Sequence, residues 1–193
     1  MKNIKICKPD PPNIIAFKKV LYNIVRYKTK FYRNQGGIMN ANEAKSLGIE
    51  LMREAECLVL STIDEEGYPQ ARAIFNLRNV KQFPDLKPVF AGHDDDLLIF
   101  IGTNTSSEKI RQIRRNPRAS VFFCKPREFH GLMLSGAFEF VEDQAIKNRL
   151  WQDGWERYYP YGPTDPDYTV IRMIPRMGKG WYKGQPFNFT LVP

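Results

Sequence analysis

The sequence predicts a mainly β protein, an antiparallel barrel with inserted helices. About six or seven segments of the 193-residue chain have the length and apolar pattern of strands, and turn residues join most of them as hairpins. Three further segments have helical spacing. The chain contains no glycine pattern of a Rossmann or P-loop nucleotide site, which argues against a doubly wound parallel sheet.

A helix and a hairpin are expected first. Residues 41–56 have an apolar stripe at helical spacing, and Asn40 or Asn42 can cap the helix. Residues 57–63 form a strand, and residues 68–77 return after a turn in which Gly67 can take a positive φ. Arg72 lies in the middle of the returning strand. It is either a solvated strand residue or an arginine held in a barrel wall to bind an anion.

A longer connection follows over residues 78–96. Its apolar and proline content allows a short strand at 88–91. The run from His93 to Asp96 could be considered a metal cluster, but consecutive residues rarely converge on one ion and no further ligand motif accompanies them. We therefore expect a solvated turn there and no metal site.

The central stretch, residues 99–123, predicts a strand, a hydroxyl-rich turn, a basic helix and a second strand. Five polar residues, 103–107, precede a helix over 108–115 with Ile110 and Ile113 on one face. The dipeptide Asn116-Pro117 ends that helix. Free N–H groups, hydroxyls and a first-turn lysine make a phosphate site possible. An ordinary capped surface helix remains the alternative.

The C-terminal third should contain a helix and several strands. His130 lies in a loop, where an acid/base role is possible but uncommon for a lone histidine. A long strand is expected over 132–141, and Asp143 caps the next helix. An aromatic and proline-rich loop then leads to a strand over 168–174 and to one or two short strands at the end.

The excess charge lies in an N-terminal arm. Residues 1–39 hold nine basic residues and one acidic residue, which accounts for the whole net charge of +8. We therefore divide the chain into a basic arm, 1–38, and a domain, 39–193. The arm is either an amphipathic helix for an anionic surface or partner, or a segment that is not translated natively. The second possibility arises because Gln35-Gly36-Gly37 could encode a ribosome-binding site before Met39.

Several classes of partner and location are disfavoured. No run approaches the roughly 20 apolar residues of a membrane span. The domain has no net basic charge, so no nucleic acid is expected. Three scattered cysteines, odd in number, favour free thiols in the cytoplasm.

A series of motifs gives the sequence a family resemblance. Residues 41–185 resemble the pyridoxamine 5′-phosphate oxidase-like family of FMN-binding split β-barrels, and most of all its general stress protein 26 branch. The motifs are Pro69-x-x-Arg72, Thr103-Asn104, Ser107-x-Lys109, Arg114-Arg115-Asn116-Pro117-Arg118, Tyr158-Tyr159-Pro160, Gly162, Asp165-Pro166-Asp167-Tyr168, the strand 169–174 and Trp181.

The resemblance implies a homodimer with FMN at the protomer interface. Arg72, Ser107 and Lys109 would then hold the FMN phosphate. Ala73 and Ile74 would run beside the flavin, with Ile74 presenting backbone polar groups to it. Thr103 and Asn104 would contact the ribityl chain or the ring edge, and Trp181 would close the site from the partner subunit.

The resemblance also limits the expected activity. Glu108 and Leu77 stand where pyridoxamine phosphate oxidases carry an arginine and a lysine, and the C-terminal Arg-x-His of those enzymes is absent. Vitamin B6 oxidation is therefore not expected. The resemblance implies a flavin-dependent oxidoreductase that exchanges electrons with an unidentified small molecule or oxygen. The alternatives are a non-catalytic flavin binder or stress-related sensor, or another cofactor such as deazaflavin or haem. No residue is assigned as catalytic.

Overall fold

The fold is described for residues 39–191 of a computed structural model. The predicted arm, including its amphipathic helix, therefore lies outside the described residues. Three α-helices and nine strands follow one another within the described range. They are α1 (Ala41–Glu54), β1 (Cys57–Ile63), β2 (Pro69–Phe75), β3 (Ile99–Asn104), α2 (Glu108–Arg115), β4 (Arg118–Lys125), β5 (His130–Ala137), β6 (Glu139–Phe140), α3 (Gln144–Leu150), β7 (Tyr168–Met173), β8 (Met177–Tyr182) and β9 (Gln185–Thr190).

The strands form two antiparallel sheets. The larger has the order β2-β1-β4-β5-β8-β9 and the smaller the order β3-β7-β6. Pairing among the described residues leaves β2 and β9 as edges, so the larger sheet does not close on itself. The expected mainly β, antiparallel fold with inserted helices is confirmed.

Helix caps agree with the sequence prediction at two of the three helices. Asn40 Oδ1 accepts the Glu43 N–H at 2.9 Å at the start of α1, and Asp143 Oδ1 accepts the Ala145 N–H at 2.8 Å at the start of α3. The predicted hairpin turn is also correct, since Gly67 has φ +88°. Among the helices of residues 39–191, none is both long and apolar enough to cross a membrane.

The main core lies between the two sheets and under α1 and α2. Strand alternation turns Leu58 and Leu60 of β1 inward, and Ile110 and Ile113 of α2 pack against them with at most 1% of their surface exposed. The small sheet is buried on both faces, because successive β3 residues such as Phe100 and Ile101 point to opposite faces and belong to two separate apolar clusters. This burial fixes β3, and with it the turn that follows it, relative to the larger sheet.

Two strand predictions are wrong. Residues 88–91 are not a strand: residues 88–90 belong to a 3-10 helix, Pro84–Phe90, and Ala91 is its C-cap residue. Pro84 suits its first turn because the proline ring presets φ, whereas Pro88 has no N–H to donate to a ladder. The long strand 132–141 is split into β5 and β6, because the Phe138 N–H donates to Pro117 O at 2.9 Å and the chain changes sheets there.

Candidate anion and cofactor site

Arg72 is anchored on the edge strand β2 by polar groups of two other elements. It pairs across the hairpin with Leu60, so its side chain lies on the inward face of the sheet. Arg72 Nη1 donates to Thr62 Oγ1 at 2.5 Å, and Nη2 donates to Gln112 Oε1 of α2 at 3.1 Å. Thr62 and Gln112 are buried. The guanidinium therefore has a fixed orientation and is not a solvated strand residue.

The β3–α2 turn, residues 105–107, brings a lysine close to this arginine. Lys109 Nζ donates to Thr103 Oγ1 at 3.0 Å, which folds the side chain back over the turn. Ser107 is the N-cap residue of α2, but its Oγ donates to Asn104 O at 2.7 Å and makes no side-chain cap bond. The N–H groups of Glu108 and Lys109 have no acceptor among residues 39–191. The expected cap is thus absent, and two donors at the helix start stay available for an anion.

The electrostatics of the site favour a bound anion. Burial lowers the pKa of Lys109, and the positive charge of Arg72 lowers it further, while Asp167 opposes both effects. Burial also lowers the pKa of Arg72, against the attraction of Glu108. Both cations are only partly exposed, whereas Glu108 is exposed. Two like charges held together at partial burial leave a positive potential that a phosphate group would relieve.

Asp167 orders the β3–α2 turn, and sequence reasoning did not give it this role. Its carboxylate accepts the Asn104 Nδ2–H at 2.8 Å and the Ser106 N–H at 2.7 Å, and its backbone O accepts the Thr105 N–H at 2.7 Å. The same hydrogen bonds lower the pKa of Asp167. Thr62 and Gln112, which hold Arg72, were also missed. Gln112 Nε2 is buried without a partner among the described residues.

The predicted cofactor residues do not all lie together in one chain. Arg72, Ala73 and Ile74 follow one another on β2. Thr103 and Asn104 end β3, and Ser107 and Lys109 lie at the start of α2. Trp181 lies on β8, with β1, β4 and β5 between β8 and β2 in the larger sheet. Its ring packs on Phe122 with centroids 5.7 Å apart and is 43% exposed. In a single chain Trp181 is therefore apart from the other seven residues.

The two remaining sequence candidates have other surroundings. His130 begins β5, is buried, and contacts the Tyr182 ring edge-on at a centroid distance of 4.9 Å. Burial lowers the pKa of His130. The acidic run after His93 is paired with cations, since Asp94 bridges Arg53 and Arg78. No group of three or more potential metal ligands occurs within the described part of the chain.

Comparison with known proteins decides the family. The family model described as pyridoxamine 5′-phosphate oxidase matches residues 49–182, which include both halves of the candidate site. The chain belongs to the pyridoxamine 5′-phosphate oxidase family. No curated protein matches the sequence.

Solved members of the pyridoxamine 5′-phosphate oxidase family and related folds are similar in structure. A protein from Clostridium acetobutylicum related to general stress protein 26 is 28% identical with a TM-score of 0.63, over 79% of this chain and 97% of that chain. A haem-binding protein from Mycobacterium smegmatis is 16% identical with a TM-score of 0.56, over 76% and 57%. A pyridoxamine 5′-phosphate oxidase-related, FMN-binding protein from Nostoc punctiforme is 16% identical with a TM-score of 0.54, over 81% and 100%. The last two likenesses concern the fold alone.

Proposed function

We propose that this protein is an oxidoreductase that binds FMN and uses it to exchange electrons with a small molecule. The observation that carries the proposal is the pairing of Arg72 and Lys109, two partly buried cations from different elements, beside the uncapped start of α2. The Nostoc punctiforme relative is an FMN-binding protein by its name, which favours FMN over other phosphates.

The donor set fits a phosphate monoester. Such a group carries about 1.5 to 2 negative charges near neutral pH and accepts several hydrogen bonds. Arg72 and Lys109 supply the opposite charge, and the N–H groups of Glu108 and Lys109 supply further donors. Ser107 can turn its hydroxyl from Asn104 O toward the anion. Glu108 has the one acidic side chain in this donor set of Arg72, Ser107, Glu108 and Lys109, and it is exposed to solvent.

The chain's own residues bind and orient in this proposal. FMN supplies electron transfer when it is bound. Ala73 and Ile74 line the edge of β2 beside the flavin, Thr103 and Asn104 contact its ribityl chain or ring edge, and Asp167 keeps Asn104 in place. No side chain at the site is assigned a proton-transfer role.

A homodimer is part of the proposal, since Trp181 cannot reach the site within its own chain. The outward face of the larger sheet carries apolar side chains that no described element covers, and they include Val59, Phe122, Met133, Met177 and Trp181. A second copy would bury this face and bring its own Trp181 toward the cofactor. The expected cytoplasmic location stays a prediction.

The visible absorption spectrum of the purified protein tests the cofactor. We expect flavin bands in the wild type, restored by added FMN if the cofactor is lost, and weak or absent in Lys109→Ala. Lys45→Ala serves as the matched control, because Lys45 lies on α1 and pairs there with Asp95 at the surface. A wild type that takes up no FMN would contradict the proposal, and a Soret band would assign haem in its place.

Turnover then separates an oxidoreductase from a flavin binder or sensor. The proposal expects the FMN-loaded protein to oxidise NADPH or NADH faster with a small acceptor or oxygen than free FMN does at the same concentration. Equal rates with and without protein would leave flavin binding as the function.

A further inference from the structure

Two cysteines face each other on neighbouring strands of the larger sheet. The antiparallel ladder between β1 and β4 includes Val59 opposite Phe122. One further step of two residues along each strand leads to Cys57 on β1 and Cys124 on β4, and both still lie within their strands. Because side chains alternate with a period of two, both thiols lie on the outward face of the sheet, the face that carries Val59 and Phe122.

The strand register gives the two thiols the spacing of a disulfide. Residues directly opposite each other in an antiparallel pair have Cα atoms about 4.5 to 5.5 Å apart. A disulfide forms when the Cα atoms are roughly 4.4 to 6.8 Å apart and the Cβ atoms do not point away from each other. Cys57 and Cys124 share one face, so a bond between their sulfur atoms requires no rearrangement of the sheet.

Two further observations show that the strands stay together at this point. Lys125, the residue after Cys124, donates from Nζ to Glu54 Oε2 at 2.6 Å, and Glu54 ends α1 three residues before Cys57. The pKa of the Cys124 thiol is raised by burial and further by the nearby Cys57 thiol. The two cysteines are therefore neighbours in space as well as in register.

The two thiols differ in exposure, and this difference sets the order in which they react. Both are free cysteines, but Cys57 is exposed and Cys124 is half-buried. The raised pKa of Cys124 keeps its thiol protonated, and a thiol is a much weaker nucleophile than a thiolate. An oxidant in solution therefore reacts first with Cys57, and Cys124 is placed to react second.

We propose that Cys57 and Cys124 form a reversible thiol–disulfide site that a hydroperoxide oxidises. The Cys57 thiolate attacks the peroxide, an S–O bond forms, the O–O bond breaks, and the leaving alcohol or water takes up the proton of the Cys57 thiol. The Cys124 thiolate then attacks the Cys57 sulfenic acid, the S–S bond forms, and the S–O bond breaks as water leaves with the Cys124 proton. Two thiols are oxidised by two electrons and one hydroperoxide is reduced. Neither cysteine is a proposed cofactor contact, so this site does not rest on FMN binding.

The test treats the reduced, full-length protein with hydrogen peroxide and follows its mass and its thermal unfolding. We expect the intact mass to fall by two hydrogen atoms. Proteolytic peptides that contain Cys57 and Cys124 should be joined to each other until dithiothreitol separates them. The Tm of the oxidised protein should be about 5–10 °C above that of the reduced protein, because the new bond closes a long loop of the chain.

Single cysteine variants identify the two partners. Cys7→Ser is the matched control, because it removes the third cysteine of the chain, which lies outside the described residues, and should leave the disulfide and the rise in Tm unchanged. Cys124→Ser should form no disulfide within the chain and should accumulate at Cys57 a sulfenic acid that dimedone traps. Cys57→Ser should form neither product. Thermal unfolding of each reduced variant checks that it is folded.

Three results would overturn the proposal. The first is a disulfide that includes Cys7, and the second is a disulfide that joins two chains, which a non-reducing gel would show. The third is a pair of thiols that stays reduced under peroxide, whether a second copy of the chain covers Cys57 or the sulfur atoms do not meet.

Discussion

The carboxylate of Asp167 connects the segment before β7 to the turn after β3, through Asn104 Nδ2 at 2.8 Å and the Ser106 N–H at 2.7 Å. The two strands pair antiparallel, with Asn104 opposite Tyr168, so Asp167 lies directly beside the turn. A single acidic residue therefore fixes the side chain of one predicted cofactor contact and the backbone next to another. The geometry of the site depends on a residue that need not touch the cofactor.

Asp167→Ala should disorder the β3–α2 turn. Both hydrogen bonds to its carboxylate are lost, and we expect the free energy of unfolding to fall by about 1–3 kcal/mol. The affinity for FMN should fall about tenfold if the turn holds the cofactor. Urea denaturation and FMN titration measure the two effects. Asp153→Ala is the control, because none of the described residues pairs with Asp153. Unchanged stability and affinity in Asp167→Ala would show that the turn is held by other contacts.

Arg72→Lys tests whether the guanidinium has a geometric role beyond its charge. Lysine keeps the charge but cannot donate to Thr62 and Gln112 through a planar fork. The FMN dissociation constant should rise about 10- to 100-fold, which corresponds to the loss of one charge-assisted contact. Arg114→Lys changes an arginine of α2 that packs over the Phe140 ring, and it should leave the dissociation constant as it is. If Arg72→Lys binds FMN as the wild type does, positive charge alone suffices at this position.

Trp181→Ala tests the proposed dimer face. The indole covers Gly131, where an added Cβ would lie 2.6 Å from the Trp181 ring, and it also packs on Phe122. Removing it from the centre of an interface should shift the protein toward monomer in sedimentation equilibrium. FMN affinity should fall as the dimer dissociates, since the partner subunit completes the proposed site. Tyr68→Ala, which removes a ring 67% exposed at the β1–β2 turn, is the control. A variant that is monomeric but keeps full FMN affinity would contradict a cofactor site shared between subunits.

Local signals in the sequence predicted α2 and β1 with the bounds the structure has. Alternation over residues 57–63 and the Asn116-Pro117 stop after the helix act within a few residues, so neither requires knowledge of the fold. Asp167, Thr62 and Gln112 could not be found this way. Their contacts depend on the β3–β7 register and on the crossing of α2 over β1, with partners 50 or more residues apart for Asn104–Asp167 and Thr62–Gln112.

The same distinction explains what was mispredicted. Residues 88–91 are apolar enough for a strand, but their helical turn is set by the prolines and by the burial of Leu86 and Phe90 against the second cluster. The polar cluster 103–107 suits a helix cap, yet the hydroxyl of Ser107, the N-cap residue, donates to Asn104 O. The sequence places a hydroxyl there, but only the tertiary structure determines which backbone group it contacts.

Ile110→Ala tests how far the fold of the site depends on the core. Ile110 is fully buried on the inner face of α2, the helix that carries Lys109 and Gln112. The cavity left by the substitution should lower the free energy of unfolding by about 2–5 kcal/mol. Ile174→Ala, at a residue 50% exposed, should change it by no more than about 0.5 kcal/mol. Denaturant unfolding of both variants gives the comparison, and a similar loss for both would argue against the described packing of α2.

FMN affinity should depend on pH through Lys109. Burial and the nearby Arg72 lower the pKa of Lys109 from its ordinary value of 10.5, and a bound phosphate would raise it again. Proton binding and FMN binding are therefore linked, and FMN affinity should fall as the pH rises through the lowered pKa of the free protein. Lys109→Arg should remove this fall, because arginine stays charged above pH 12. Fluorescence titrations of FMN at neutral and alkaline pH measure both proteins, and ionisation of the flavin itself affects the two alike. An identical alkaline loss in wild type and Lys109→Arg would mean that the lysine charge does not hold the phosphate.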